Sequence, residues 1–213
     1  LEARRSAKEL RQEALEQMCN HYEANPEAIE TWAEYSGYRL LAEQSSELKR
    51  DIYPRRDAYV ARMNEGQPVV ETLRWGVPLK MAGKRPNTTV TKHVTNVRNL
   101  SSPFWRSMLS KPEQRCLVPF SRFAEPKPQA GKEEVWFEVS GSPVAVFAGI
   151  WRPSDAGEVF AFLTCEPNAL VGPIHPKAMP VILMPEDYEA WLDGAPAEEL
   201  AQPFPSQLMT IVS

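Results

Sequence analysis

The chain has 213 residues, 43% of them hydrophobic and 9% aromatic, enough to bury one substantial core or at most two small ones. A net charge of -4 is mild, and twenty prolines argue for loops and interrupted helices rather than a helical bundle. The three cysteines (Cys19, Cys116, Cys165) are an odd number without a CxxC pair, and the chain has no apolar run of about 18 residues and no apolar signal-peptide core; disulfide framework, zinc site and membrane helix all lose support, and a soluble cytoplasmic protein is expected.

Residues 3–18 are rich in Ala, Glu, Leu, Arg and Gln without Gly or Pro, which predicts a helix with a thin apolar stripe of Ala7, Leu10, Ala14 and Leu15. "NPEAIETWAEYSGY" reads as a second helix: Asn25 at the N-cap, Pro26 at N1, Glu27 in the first turn, Ile29, Trp32 and Ala33 on one face, and Gly37 near the end. "AYVARMNEGQPVVETLRWGV" then predicts a hairpin turning at Gly66. From Arg74 to Lys111 there are eight basic residues and no acidic one, leaving 16 basic against 28 acidic residues elsewhere. Such a segment supplies phosphate contacts if it folds onto one face, and is a solvated loop otherwise.

"RCLVPFSRFAEP", "VWFEVSG", "VAVFAGIW" and "VFAFLTCEP" are short runs rich in Val, Phe and Trp, which predict strands. "NALVGPIH" reads as a helical turn or loop, "MPVILM" as a strand, and "PEDYEAWLDG" as a short helix from Pro185 to Gly194. With no repeat and no linker, the expectation is one α+β domain, a curled sheet with peripheral helices.

Few residues are available for chemistry. Of His21, His93 and His175, the last lies in the Pro-flanked "LVGPIHPKAMPVIL", a loop just before an apolar strand. Glu125 follows a strand and precedes two prolines; its plain reading is a solvated carboxylate. Asn96 and Arg98, two apart in "KHVTNVRNL", point to one side of any extended segment. The chain contains no GxGxxG, P-loop, HExxH or GxSxG, so nucleotide, zinc and serine-hydrolase readings lack support. No metal or organic cofactor is expected.

Taken in order, "MCNHY", "LRWGV", "TNVRN", "FWRSMLSKPEQRCLVPFSRFAEP", "VFAGIWRP" and "FAFLTCEPNALVGPIHPKAMPVILMPEDYEAWLDG" resemble the SOS response-associated peptidase (SRAP) family, over Met18 to about Gly194. The resemblance implies a single domain with a strongly curled, barrel-like mixed β-sheet over residues 19–213, preceded by a helical extension at 1–18. It also implies a DNA-repair protein that binds single-stranded DNA at abasic sites and links to them through an N-terminal cysteine. The catalytic residues it implies are Cys19, Asn96, Glu125 and His175: the Asn to position cysteine and sugar, the Glu to move protons in ring opening and imine formation, the His to bond the opened sugar's hydroxyl. Arg98, Trp75, Pro54, Lys177 and His21 are the implied DNA contacts. Three features depart from the family pattern: Asn20-His21 replaces Gly-Arg, Pro126 replaces an aromatic residue, and Lys177 stands where an arginine is usual, losing the planar fork.

The chemistry needs a free amine at Cys19, because an amide nitrogen is delocalised into its carbonyl and forms no imine. Three explanations for the residues before it stay open: Met18 is the natural initiator, the protein cleaves its own Met18-Cys19 bond, or the extension stays and the crosslinking activity is lost. The functional expectation is an abasic-site crosslinking protein with SRAP-type peptidase or lyase-like activity; the alternatives are a non-covalent single-strand-binding module and a cysteine-dependent (auto)peptidase.

Overall fold

A computed structural model describes residues 20–41, 49–83, 85, 87–127 and 133–212. The helix expected at 3–18 and the cysteine at position 19 lie outside the described residues. In chain order the strands and helices are β1 (His21–Glu23), α1 (Pro26–Tyr35), β2 (Arg39–Leu40), β3 (Asp51–Ile52), β4 (Asp57–Asn64), β5 (Gln67–Trp75), β6 (Val77–Ala82), β7 (Thr89–Val94) and β8 (Asn96–Val97). They continue with α2 (Pro103–Leu109), β9 (Arg115–Phe120), β10 (Arg122–Pro126), β11 (Glu134–Val139), β12 (Ala145–Ser154), β13 (Gly157–Cys165), β14 (Met179–Pro180), β15 (Ile182–Leu183), α3 (Tyr188–Leu192), α4 (Ala197–Leu200) and β16 (Met209–Val212).

Five of these strands close on themselves. β13, β12, β9, β4 and β5 pair antiparallel in that order, and β5 returns to β13 in parallel through Val159↔Arg74 and Phe160↔Trp75. The result is a mixed five-stranded barrel, as the curled, barrel-like expectation had it. A second sheet, ordered β16-β11-β10-β1-β3, lies beside it. "RCLVPFSRFAEP" joins the two: its residues divide at Ser121 into β9 of the barrel and β10 of the second sheet. Aromatic rings tie the sheets together. Phe120 stacks on Phe147 at 3.8 Å, Phe147 meets Phe162 at 4.6 Å, Phe162 stacks on Trp75 at 5.2 Å, and Tyr22 of β1 stands edge-on to Trp75 at 5.1 Å. All five are wholly buried.

The local signals in the sequence work as chemistry dictates. Asn25 is the N-cap of α1 and Pro26 occupies its first turn, although the Asn25 side chain makes no capping bond; its backbone N–H donates to Ser121 Oγ at 3.0 Å. Glu65 and Gly66 both have positive φ (50° and 76°), the two-residue turn whose twist matches a hairpin, so β4 and β5 pair without a gap from Asn64↔Gln67 to Asp57↔Arg74. One expectation needs correction. "MPVILM" is two short strands rather than one, because β12 and β13 diverge beneath it: β14 pairs with β13, β15 pairs with β12, and Val181 between them bonds to both (Val181 N to Leu163 O, 2.9 Å; Ala148 N to Val181 O, 3.0 Å).

Candidate functional site

The ladder between β1 and β10 organises the site. His21↔Ala124, Tyr22↔Phe123 and Glu23↔Arg122 run antiparallel, with Asn20 just before β1 in the chain and Glu125 on β10 just beyond the His21↔Ala124 pair. Glu125 is 1% exposed although it belongs to a strand of the smaller sheet, which overturns its plain reading as a solvated carboxylate. His175 Nδ1 lies 3.8 Å from Glu125 Oε2 and donates to the Ala178 carbonyl at 2.7 Å. A carbonyl only accepts, so this bond is donated by an Nδ1–H. The loop carrying His175 is held by Asn168, whose Oδ1 accepts from the backbone N–H of Leu170 and of Val171 (3.0 Å each) and whose Nδ2 donates to Phe204 O at 2.7 Å.

Asn96 approaches from the barrel. It lies on β8, paired in parallel with Phe162 of β13, and is 5% exposed. Its Nδ2 donates to Thr95 Oγ1 at 2.9 Å, and Thr95 Oγ1 reaches Asn20 Oδ1 at 3.5 Å. Beneath them Trp75 Nε1 donates to the Thr95 carbonyl at 3.1 Å. Asn96 is thus linked through Thr95 to Asn20, the residue before β1, while Glu125 of the adjoining β10 neighbours His175. Thr95 and Asn168 escaped the sequence reading. Asn168 carried a usable signal, an Asx-type turn opening "NALVGPIH"; Thr95 carried none.

The expected DNA contacts are placed unevenly. Arg98 donates from Nη2 to Glu166 at 2.9 Å and from Nη1 to the Lys177 carbonyl, which ties it to the His175 loop, and Lys177 is exposed beside it. Pro54 is half-buried, next to Tyr53, which is 47% exposed and was not anticipated. Two expectations do not fit this geometry. Trp75 is wholly buried, so its ring offers no face to a nucleotide and acts from below through Thr95. His21 is 6% exposed; its Nδ1 meets Glu134 at 2.8 Å, its Nε2 meets Asp51 at 3.1 Å, and its ring stacks on Tyr53 at 4.0 Å. A phosphate there would displace two carboxylates, which disfavours contact through this residue.

The described cysteines are poor nucleophiles. Burial pushes the Cys116 thiol up, and burial together with the Glu166 carboxylate pushes Cys165 up to about 12, so both remain protonated at neutral pH. Among the described residues there is no group of three or more His, Cys, Asp or Glu suited to a metal ion. An apolar groove of about 770 Å³, lined by Trp32, Tyr38, Ile182, Tyr188 and Phe204 among others, contains none of the candidate catalytic or DNA-contacting residues. Among the described residues no helix is long and apolar enough to cross a membrane.

Comparison with known proteins agrees with the resemblance. The family model "SOS response associated peptidase (SRAP)" matches residues 18–213. A protein from Bordetella bronchiseptica of solved structure is 25% identical, with a TM-score of 0.69 over 92% of this chain and 100% of its own. One from Bacteroides thetaiotaomicron is 24% identical, with a TM-score of 0.72 over 92% of each chain. A phage-related protein from Bordetella bronchiseptica is 19% identical, with a TM-score of 0.59 over 91% of this chain and 92% of its own. No curated protein matches in sequence.

Proposed function

The chain belongs to the SOS response-associated peptidase family, and from that premise we propose that it binds single-stranded DNA and forms a covalent thiazolidine with an abasic site once Cys19 carries a free amine. One observation carries the reading: the carboxylate of Glu125, buried with His175 3.8 Å away, lies on β10, the strand paired with β1, which begins two residues after Cys19 in the chain. A buried carboxyl beside an imidazole is suited to proton transfer at a reacting carbonyl. The match to the family covers residues 18–213, a range that includes Cys19.

The chemistry balances without a cofactor. An α-amino group titrates at about 7.7–8.0, so a useful fraction is neutral and nucleophilic near neutral pH. The Cys19 amine adds to the aldehyde carbon of the ring-opened abasic sugar, Glu125 protonates the departing hydroxyl, and water leaves to give the imine. The Cys19 thiol then adds to the imine carbon while its proton passes to the nitrogen, closing a five-membered ring. The product is the sum of the two reactants less one water. Asn96 orients the cysteine and sugar, His175 bonds the opened sugar's hydroxyl, and Arg98 with Lys177 meets a flanking phosphate.

Intact-mass spectrometry tests this directly. A chain beginning at Cys19, mixed with single-stranded DNA bearing one abasic site, gains the mass of the oligonucleotide less one water. Cys19→Ala gains nothing, and Glu125→Gln slows adduct formation about 10²–10⁴-fold. A chain beginning at Cys19 that stays unmodified sinks the covalent reading.

A further inference from the structure

The basic segment that the sequence leaves undivided is sorted by the fold. Arg74 pairs with Asp57 at 3.0 Å and Arg98 with Glu166 at 2.9 Å, so both are partly neutralised. Lys80, Arg85 and Lys92 have no ion pair among the described residues, and all three belong to one structure, the ribbon made by β6 and β7. Among the described residues its strands pair only with each other, from Val77↔Val94 to Ala82↔Thr89.

The ribbon is anchored at its root and open at its tip. At the root, Gly76 has φ +123° and its N–H donates to Phe160 O at 2.8 Å, while Arg152 Nη2 donates to Pro78 O at 2.9 Å. At the tip, Gly83 N donates to Thr88 O at 2.7 Å, and the Arg85 carbonyl accepts from both N–H and Oγ1 of Thr88. These bonds shape an open concavity of about 840 Å³ lined by Lys80, Arg85, Asn87, Thr88 and Thr89, with two cations, an amide, two hydroxyls and no carboxylate. One face of the ribbon alternates Lys80, Thr91, Thr89 and His93, all exposed. Meanwhile β7 runs through Thr95 directly into Asn96, so Thr89 at the tip stands about 23 Å along the strand from Asn96 of the candidate site.

We propose that this ribbon is a phosphate-backbone arm: the tip concavity seats phosphodiester groups of the single strand whose damaged nucleotide enters the Asn96–Glu125–His175 site. Charge selects the partner, since an acid-free basic arm on a protein of net charge -4 attracts a polyanion to that place and repels it elsewhere. The inference rests on the single-stranded DNA reading and adds to it where the strand lies.

The test uses an intact, undamaged single-stranded oligonucleotide carrying a fluorophore, so that no covalent step contributes, with affinity read by anisotropy over a salt series. Each lost phosphate contact flattens the slope of log affinity against log salt by about 0.7. Lys80→Ala with Arg85→Ala therefore flattens it by about 1.4 and leaves the urea midpoint unchanged, because both side chains are exposed. Arg106→Ala with Lys111→Ala removes the same charge from the same basic segment, on α2 and just after it, and leaves the slope close to that of the unaltered protein. An unchanged slope in the arm variant, or an equal loss in both variants, overturns the arm. An unaltered protein without salt-dependent affinity overturns the arm and the DNA reading together, whereas arm-dependent binding without adduct formation overturns the covalent step alone.

Discussion

Glu23 shows how single residues hold the site's floor. It is 5% exposed on β1, the strand that leads away from Asn20, and accepts from Arg50 Nε at 2.6 Å and Arg122 Nη2 at 2.7 Å. Burial alone would raise its carboxyl, but the two guanidinium bonds outweigh that and hold it below its ordinary value of 4.5. A depressed folded value means that this stabilisation is fully present above the unfolded value and is lost as the pH falls through the folded one. Glu23→Gln is expected to lower the urea midpoint at neutral pH and to flatten the acid limb below about pH 4.5. Acid limbs of equal steepness in the two proteins would count against the ion-pair account. The same scale explains which site residues could be read in advance. Asn96, Glu125 and His175 are visible as residue types in suggestive surroundings, whereas Thr95 matters only because Asn20, Trp75 and Asn96 converge on it.

Among the elements, β12 is paired with three others, β9 and β13 along its sides and β15 at its start. Gly149 sits at its centre for lack of room: a Cβ there would lie 2.7 Å from Cys116 Sγ and 2.8 Å from Val118 Cγ2. The carbonyls of Gly149 and Cys116 share the indole N–H of Trp191, at 3.2 and 2.9 Å, which docks α3 against the barrel. Gly149→Ala is therefore expected to cost about 1–3 kcal/mol by overpacking, read as a lowered urea midpoint with unchanged m-value; an unchanged midpoint would show that β9 yields at little cost. The hairpin of β4 and β5 was legible because its turn residues lie between two alternating strands. The β6–β7 ribbon was not: its tip is rich in Gly, Asn, Lys and Arg, which read equally well as a solvated loop.

For the whole molecule, the seam between β5 and β13 is decisive. Only two residue pairs close the barrel there, Val159↔Arg74 and Phe160↔Trp75, with the Gly76 N–H bonded to Phe160 O. Phe160 is wholly buried, and its removal leaves a cavity at the joint between distant parts of the chain. Phe160→Ala is expected to cost about 3–5 kcal/mol while unfolding stays a single transition by fluorescence and circular dichroism. Separate transitions for the two probes would show that the barrel opens at the seam before the second sheet is lost. Charge is also a property of the whole: outside residues 74–111 the chain has 28 acidic against 16 basic residues, whereas Lys80, Arg85 and Lys92 of the ribbon have no ion pair among the described residues, a division that the net charge conceals.

Sequence alone determined what depends on near neighbours and on motif order: the capped helix at 26–35, the turn at Glu65-Gly66, the α+β class and, through six motifs in register, the family. These signals are local, because a cap, a turn or an alternating strand is specified within a few residues of itself. Tertiary structure alone decided which strands meet. It set His175 beside Glu125, buried Trp75 beneath Thr95, enclosed His21 between Asp51 and Glu134, and raised the basic segment into a ribbon. Each of these depends on pairings between residues far apart in the chain, where one residue of register exchanges the inner face of a strand for the outer.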